Sequence, residues 1–337
     1  MSNLIKGESK VFKPFNYPWA FEAYRTHESM HWLATEIPLA DDVKDYEADT
    51  EANKKFIENV MKMFTTNDIA ASQGYTGLLR IFKPTEVVMM LSSFAAREAC
   101  HIDAYSLFTE TLGFGDEIYK EFLDIPEMSI KTDYLDKAKV RKYEDYKSVG
   151  LSDIEVDKQY RRDVARMLAV YGGCLEGIEL FAQFAMLLQF QFQNKYKGLC
   201  QIVDYSIKDE AQHQVNNSRL FREFVAENPD IWDDDLKYDI YQAIREVVSQ
   251  EEVTIDYLNP PHMDNEVCKE YIRYRADESL KLLGMKPNYN VKENPLPFMD
   301  EVLGGVSLVN FFENRVTDYA KGGLTGSWDE LKGNTCK

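Results

Sequence analysis

Two short stretches, Glu98-Ala99-Cys100-His101 and Glu210-Ala211-Gln212-His213, constrain this 337-residue chain more than any other feature. A glutamate and a histidine three positions apart share one face of an α-helix. The first pair sits inside Arg97-Glu98-Ala99-Cys100-His101-Ile102-Asp103-Ala104-Tyr105, with Tyr105 one turn further along the same stripe. Its flanks, Val87-Val88-Met89-Met90-Leu91 and Leu107-Phe108, are apolar enough to bury the helix. A carboxylate and an imidazole turned inward require a compensating partner, because an unpaired buried charge is too costly. One Glu-x-x-His is a common surface turn. Two of them, each in an apolar helix of a chain with only 5 histidines, point to something more specific. Facing one another, two such pairs hold two metal ions in carboxylate-bridged bundles, where two other helices each add an acid.

The rest of the chain suits that reading. At 45% hydrophobic and 13% aromatic residues it has the material for a large core. Glycine (17) and proline (11) are scarce and long stretches repeat at helical period, so the expected class is all-α. A net charge of −18 argues against nucleic acid or an anionic membrane surface as a partner. Cys100, Cys174, Cys200, Cys268 and Cys336 form no Cys-x-x-Cys pair, which suits a reducing cytoplasm. The N-terminus lacks the apolar core of a signal peptide. Cys174 to Phe190 comes nearest to a membrane span, but it carries Glu176 and Glu179, so a buried bundle helix fits better.

In chain order, residues 1–28 read as an irregular arm, with Pro14 and Pro18 among aromatic residues. A bundle is expected over 29–290 and a C-terminal segment with a mobile tail over 291–337. Ala52 to Phe64 carries a helical stripe (Phe56, Val60, Met61, Phe64), and a second periodic stretch starts at Asp68. Pro84 marks a fresh helix start before Glu98. Residues 115–160 are highly charged and read as outer helices and loops. Val164 to Gln193 is apolar on every face, as a central helix is. Leu199 to Phe224 carries Glu210 and His213, and Leu236 to Leu258 and Asn265 to Leu283 read as two more helices.

Glutamates and histidines in an oxygen-rich set suit iron or manganese. The best single acids to complete the site are Asp68 and Glu176. Glu179 rivals Glu176 on the same helix, and helical spacing does not choose between them. Glu176 reads alternatively as a carboxylate paired to an arginine such as Arg166, and Asp68, after Thr65-Thr66-Asn67, as an N-cap.

Phe82-Lys83-Pro84-Thr85-Glu86, the Glu98/His101/Tyr105 stretch, Leu175-Glu176-Gly177-Ile178, Asp209-Glu210-Ala211-Gln212-His213, Asn294-Pro295-Leu296-Pro297-Phe298 and Asn310-Phe311-Phe312-Glu313-Asn314-Arg315-Val316-Thr317-Asp318-Tyr319 occur in that order. Together they resemble the small, radical-generating subunit of class I ribonucleotide reductase, over roughly residues 28 to 320. The resemblance implies a homodimeric, ferritin-like helical bundle whose two metal ions react with oxygen or a reduced oxygen species and oxidise a nearby tyrosine. Iron is the first expectation, with manganese–iron and dimanganese forms using the same ligand types.

By motif position the resemblance puts Asp68, Glu98 and His101 on one side of the cluster and Glu176, Glu210 and His213 on the other. Tyr105 falls where the family carries its tyrosyl radical. Trp32 and Asp209 match the residues that link His101 towards the surface, and Tyr319 matches the redox tyrosine that passes the oxidising equivalent to the large subunit. Leu180 and Phe184 would line the apolar pocket around the radical. From Pro84 back to Asp68 this chain is one residue shorter than the family pattern, which makes Asn67 and Ala70 the neighbours to compare. Asn334-Thr335-Cys336-Lys337 departs from the acidic, apolar-tipped tail by which many relatives dock their partner. If Tyr319 is not the exit, Trp328 is the next candidate. Competing readings are a ferritin-like oxidase with its own small substrate and an iron-storage protein.

Overall fold

The computed structural model describes residues 3–6, 11–118, 135, 137–141, 145–146 and 152–308, and among these there is no strand. Helix α1 spans Pro18–Ser29, α2 Ala40–Ala48, α3 Glu51–Ile81, α4 Thr85–Thr111 and α5 Asp153–Ala169. A π-helical stretch, Val170–Glu179, carries α5 into α6, Leu180–Leu188. Then come α7 Lys197–Glu227, α8 Asp234–Leu258, α9 Asn265–Leu282 and α10 Pro297–Leu308. No helix among the described residues is long and apolar enough to cross a membrane.

Helix α3 starts where the Thr50 hydroxyl accepts the Asn53 N–H at 3.3 Å, an ordinary N-cap. Phe56, Val60, Phe64, Asp68, Ala71, Tyr75 and Leu78 then recur every three or four residues, all buried. The two pieces expected on either side of Asp68 are therefore one continuous helix. Asp68 lies in mid-helix, which removes the N-cap reading. The helix stops at Ile81 because Pro84 lacks an N–H and favours extended backbone before it. Helix α4 restarts directly after that proline, burying Val87, Met90, Leu91, Phe94, Glu98, His101, Tyr105 and Phe108 along one stripe.

The segment before residue 28 departs from its expected irregularity. Pro18 occupies the first turn of α1, where its missing N–H costs nothing. Ala20, Ala23 and His27 form a buried stripe that packs on α4.

The expected central helix is present but not uniform. Its middle is wound wide as the π-helical stretch, whose ten residues are all buried. Helices α7 and α9 lie close against it: a Cβ on Gly177 would overlap Gln214 Nε2 of α7 and fall 2.7 Å from Ser279 Oγ of α9. A wide turn leaves carbonyls outside the α-helical ladder. Arg275 of α9, itself buried, donates from Nε to the Gly177 carbonyl at 3.1 Å and from Nη2 to Gln214 Oε1 at 2.7 Å. Helices α3, α4 and α7 and the wide stretch running into α6 pack around a common core, with α8 and α9 laid over the wide stretch. Within these core elements Asp68, Glu98, His101, Glu176, Glu210 and His213 are all buried.

Candidate metal centre

The buried stripes of four elements turn carboxylates and imidazoles to one point. Asp68 comes from α3, Glu98 and His101 from α4, Glu176 from the wide stretch, and Glu210 and His213 from α7. Ligand atoms of Asp68, Glu98 and His101 lie within 4.8 Å of one another, as do those of Glu98, Glu176, Glu210 and His213. Glu98 belongs to both groups, as a bridging carboxylate would. His101 Nδ1 is 3.3 Å from Glu210 Oε1 and 3.7 Å from Glu98 Oε2. His213 Nδ1 is 2.8 Å from Glu176 Oε2, 3.1 Å from Glu98 Oε1 and 3.4 Å from Glu210 Oε2. Both rings thus turn Nδ1 inward and Nε2 outward.

These groups are at most 3% exposed, and several oxygens lack a hydrogen-bond donor: Asp68 Oδ2, both Glu98 oxygens, Glu176 Oε1 and both Glu210 oxygens. Four carboxylates crowded in an apolar core are strongly unfavourable without countercharge. Burial, then the charges of Glu98, Glu210 and Glu176, push Asp68 well above the usual carboxylate range. Burial, then Glu210, pushes Glu176 up to about 8. Burial alone would lower His101, but the neighbouring carboxylates of Asp209, Glu210 and Glu98 reverse this and hold it well above the ordinary histidine range. Glu176 has the same effect on His213. The site draws in protons because it is built for positive charge. Two divalent cations would cancel four carboxylates, and an oxygen-rich set with two imidazoles suits iron or manganese. The residues fit a metal pair.

Around the centre, Trp32 Nε1 donates to Asp209 Oδ2 at 2.8 Å, and the same oxygen is 3.2 Å from His101 Nε2. The Trp32 ring stacks near His101, with centroids 5.9 Å apart. Arg97 lies 3.4 Å from Asp209 and donates to the Trp32 carbonyl at 3.2 Å. Burial alone would raise Asp209, but its bond to His101 and the charges of His101 and Arg97 hold the carboxyl below the usual range, so it stays a carboxylate. Tyr105 donates from Oη to Ser206 Oγ at 3.2 Å. Phe64 meets the Tyr105 ring edge-on at 4.7 Å between centroids, and Phe184 backs Phe64 at 5.7 Å. Leu180 is buried on the same segment as Phe184.

The structure therefore brings Asp68, Glu98, His101, Glu176, Glu210 and His213 together, with Trp32, Asp209 and Tyr105 beside them. Glu179 is buried but stands outside both groups of converging ligand atoms. Arg166, the alternative partner of Glu176, donates instead to the Lys137 carbonyl. Tyr319 and Trp328 lie outside the described residues.

Several neighbours were not found by sequence reasoning. His27 is wholly buried, 3.1 Å from His213 Nε2 and 3.5 Å from Asp209 Oδ1. Burial, then the charge on His213, holds it well below the usual histidine range, so it is neutral. Tyr75, Ser206 and Arg97 were missed too. The signal for His27 was the Ala20, Ala23, His27 spacing behind Pro18. Tyr75 and Ser206 lie on stripes otherwise read as plain core.

The profile of the family described as "Ribonucleotide reductase, small chain" matches residues 9–295. Among curated relatives, the "probable ribonucleoside-diphosphate reductase small subunit 376L" of Invertebrate iridescent virus 6 is 37% identical over 98% of each chain. The solved dimanganese(II)-NrdF of Streptococcus sanguinis superposes with a TM-score of 0.75 at 19% identity, covering 88% of this chain and 99% of that one. The ribonucleotide reductase Rnr4 homodimer of Saccharomyces cerevisiae superposes with a TM-score of 0.70 at 21% identity, over 94% and 92%. These two likenesses show the fold, a ferritin-like helical bundle. With the profile match across most of its length, the chain belongs to the ribonucleotide reductase small-chain family.

Proposed function

We propose that this small chain binds two metal ions between Asp68, Glu98, His101, Glu176, Glu210 and His213, and that Tyr105 stores the oxidising equivalent it supplies to a large subunit. The observation that carries this reading is the convergence of two Glu-x-x-His pairs with Asp68 and Glu176 on one buried point. When bound, the metal pair supplies, by reaction with oxygen or a reduced oxygen species, an oxidant stronger than any side chain. Iron is the metal we favour. The dimanganese relative has the same fold, and a manganese–iron pair would use the same donors.

Burial, then the Asp68 carboxylate, pushes the Tyr105 hydroxyl far above its ordinary range, so Tyr105 holds its proton at rest. Losing an electron from the ring would require the Oη proton to leave as well; Ser206 Oγ accepts the hydrogen bond that orients that proton but is too weak a base to keep it. Phe64 and Phe184 keep water and reductants from the ring. Asp209 accepts from Trp32 and holds the outward nitrogen of His101, giving a hydrogen-bonded route from the centre to the indole. We assign Trp32 and Asp209 to the relay out of the centre and Tyr319 to its far end. The large subunit carries out ribonucleotide reduction, and this chain works as a homodimer in a reducing cytoplasm. We assign residues 29–290 to the bundle, with the helix Pro18–Ser29 packed on it.

The test is aerobic loading with iron(II) or manganese(II), with electron paramagnetic resonance and then mixing with the cognate large subunit. We expect a tyrosyl signal that is absent in Tyr105→Phe, and reduction of ribonucleoside diphosphates only when both subunits are present. Turnover by the isolated chain, or an unchanged signal in Tyr105→Phe, would overturn the assignment.

A further inference from the structure

His27 joins the centre to the surface through an unbroken set of hydrogen bonds. Its Nε2 lies 3.1 Å from His213 Nε2, and its Nδ1 lies 2.7 Å from Ser93 Oγ. Ser93 Oγ donates to Glu28 Oε1 at 2.6 Å. His27 and Ser93 are buried, whereas Glu28 is exposed at the end of α1.

With the Glu28 carboxylate as the fixed acceptor, the donors and acceptors along this chain take one arrangement, in which His27 Nε2 pairs with His213 Nε2 at 3.1 Å and Asp209 Oδ1 stands further off at 3.5 Å. The Glu28 carboxylate accepts, so the Ser93 hydroxyl donates to it. The Ser93 oxygen then accepts, which puts the His27 hydrogen on Nδ1 and leaves His27 Nε2 as an acceptor. His213 must in turn carry its hydrogen on Nε2. That frees the His213 Nδ1 lone pair, which faces Glu98, Glu176 and Glu210. We infer that Glu28, Ser93 and His27 form a positioning relay that fixes the tautomer and orientation of His213, so that a carboxylate on the surface sets which nitrogen faces the metal. The relay rests on the metal reading of the centre. Groups that orient a ligating histidine through its second nitrogen are worth about 10–100-fold in metal affinity. The two ligating imidazoles are also backed differently: His101 by the carboxylate of Asp209, His213 by a neutral ring. Two bound ions would therefore receive different electron donation from the two imidazoles.

Apo-protein titrated anaerobically with manganese(II), with bound metal read by equilibrium dialysis and paramagnetic resonance, tests the relay. The full chain should take up two equivalents. Ser93→Ala and His27→Phe should weaken one equivalent by about 10–100-fold and leave the other unchanged. His27→Gln should bind nearly as the parent, since its amide accepts from His213 and donates to Ser93. If His27 only fills space between Phe94 and His213, whose ring centroids lie 4.9 and 5.0 Å from its own, the order reverses: Phe is tolerated and Gln is not. That reversal, or unchanged affinity in both Ser93→Ala and His27→Phe, would overturn the relay. A parent chain that binds no manganese would overturn the metal reading, and the relay with it. Thermal melting of each metal-free variant identifies any that fails to fold, and Ser93→Ala, the smallest change, then decides.

Discussion

Glu176 and Glu179 stand three positions apart in one apolar stretch, and both are buried. Only Glu176 reaches the converging ligands, where its Oε2 meets His213 Nδ1 at 2.8 Å. The choice turns on local winding: the wide helix changes the angle between successive side chains, and a count at 3.6 residues per turn cannot see that. Asp68 was harder, because after Thr65-Thr66-Asn67 it reads equally well as an N-cap, and only the continuity of α3 puts it mid-helix, four residues after Phe64 on a buried stripe. His27 was lost with the whole of α1: a proline among aromatic residues reads as irregular chain, yet Pro18 suits a first helical turn. We expect Glu176→Ala to lower metal uptake from two equivalents to one, while Glu179→Gln keeps two. Metal content after dialysis distinguishes them, and loss of metal from Glu179→Gln with retention in Glu176→Ala would reverse the roles.

At the scale of elements, the helices were legible where their faces differ. Helix α4 begins where expected, and α7, α8 and α9 begin and end within a few residues of the expected positions, because caps, prolines and apolar stripes coincide. The middle of the central helix was not legible: a stretch that is apolar all round has no face from which winding can be inferred. What holds the wide turn is tertiary. Arg275 caps the Gly177 carbonyl, and Gly177 leaves room for Gln214. Arg275→Met leaves that carbonyl and Gln214 Oε1 without their donor, which costs about 1–3 kcal/mol. Gly177→Ala forces Gln214 and Ser279 apart and destabilises by about 1–3 kcal/mol. Denaturant unfolding of the metal-free proteins measures both, and unchanged midpoints would show that the wide turn does not depend on these contacts.

At the scale of the whole molecule, the bundle encloses a site that strains it when empty of cations. Asp68, Glu176, His101 and His213 are all shifted upward, so the folded metal-free chain holds protons that the unfolded chain releases as pH rises. Stability then falls with increasing pH. His27 is shifted the other way, but its contribution is nearly complete once the pH exceeds the ordinary histidine value. Between pH 7 and about 8 the upward-shifted groups therefore govern the slope. We expect the melting temperature of the metal-free chain to fall across that interval. The loaded chain should melt higher and depend less on pH, since the ions replace those protons. A metal-free chain whose melting temperature rises over the same interval would contradict the charge account of the core.

The central claim is that six side chains from four elements hold a metal pair, and a crystal of the loaded protein tests it most directly. Anomalous scattering at the metal edge should show two ions per chain, roughly 3.5–4 Å apart. Glu98 should lie between them, with Asp68 and His101 on one ion and Glu176, Glu210 and His213 around the other. A single ion, a pair held elsewhere, or Glu179 in place of Glu176 would contradict the account.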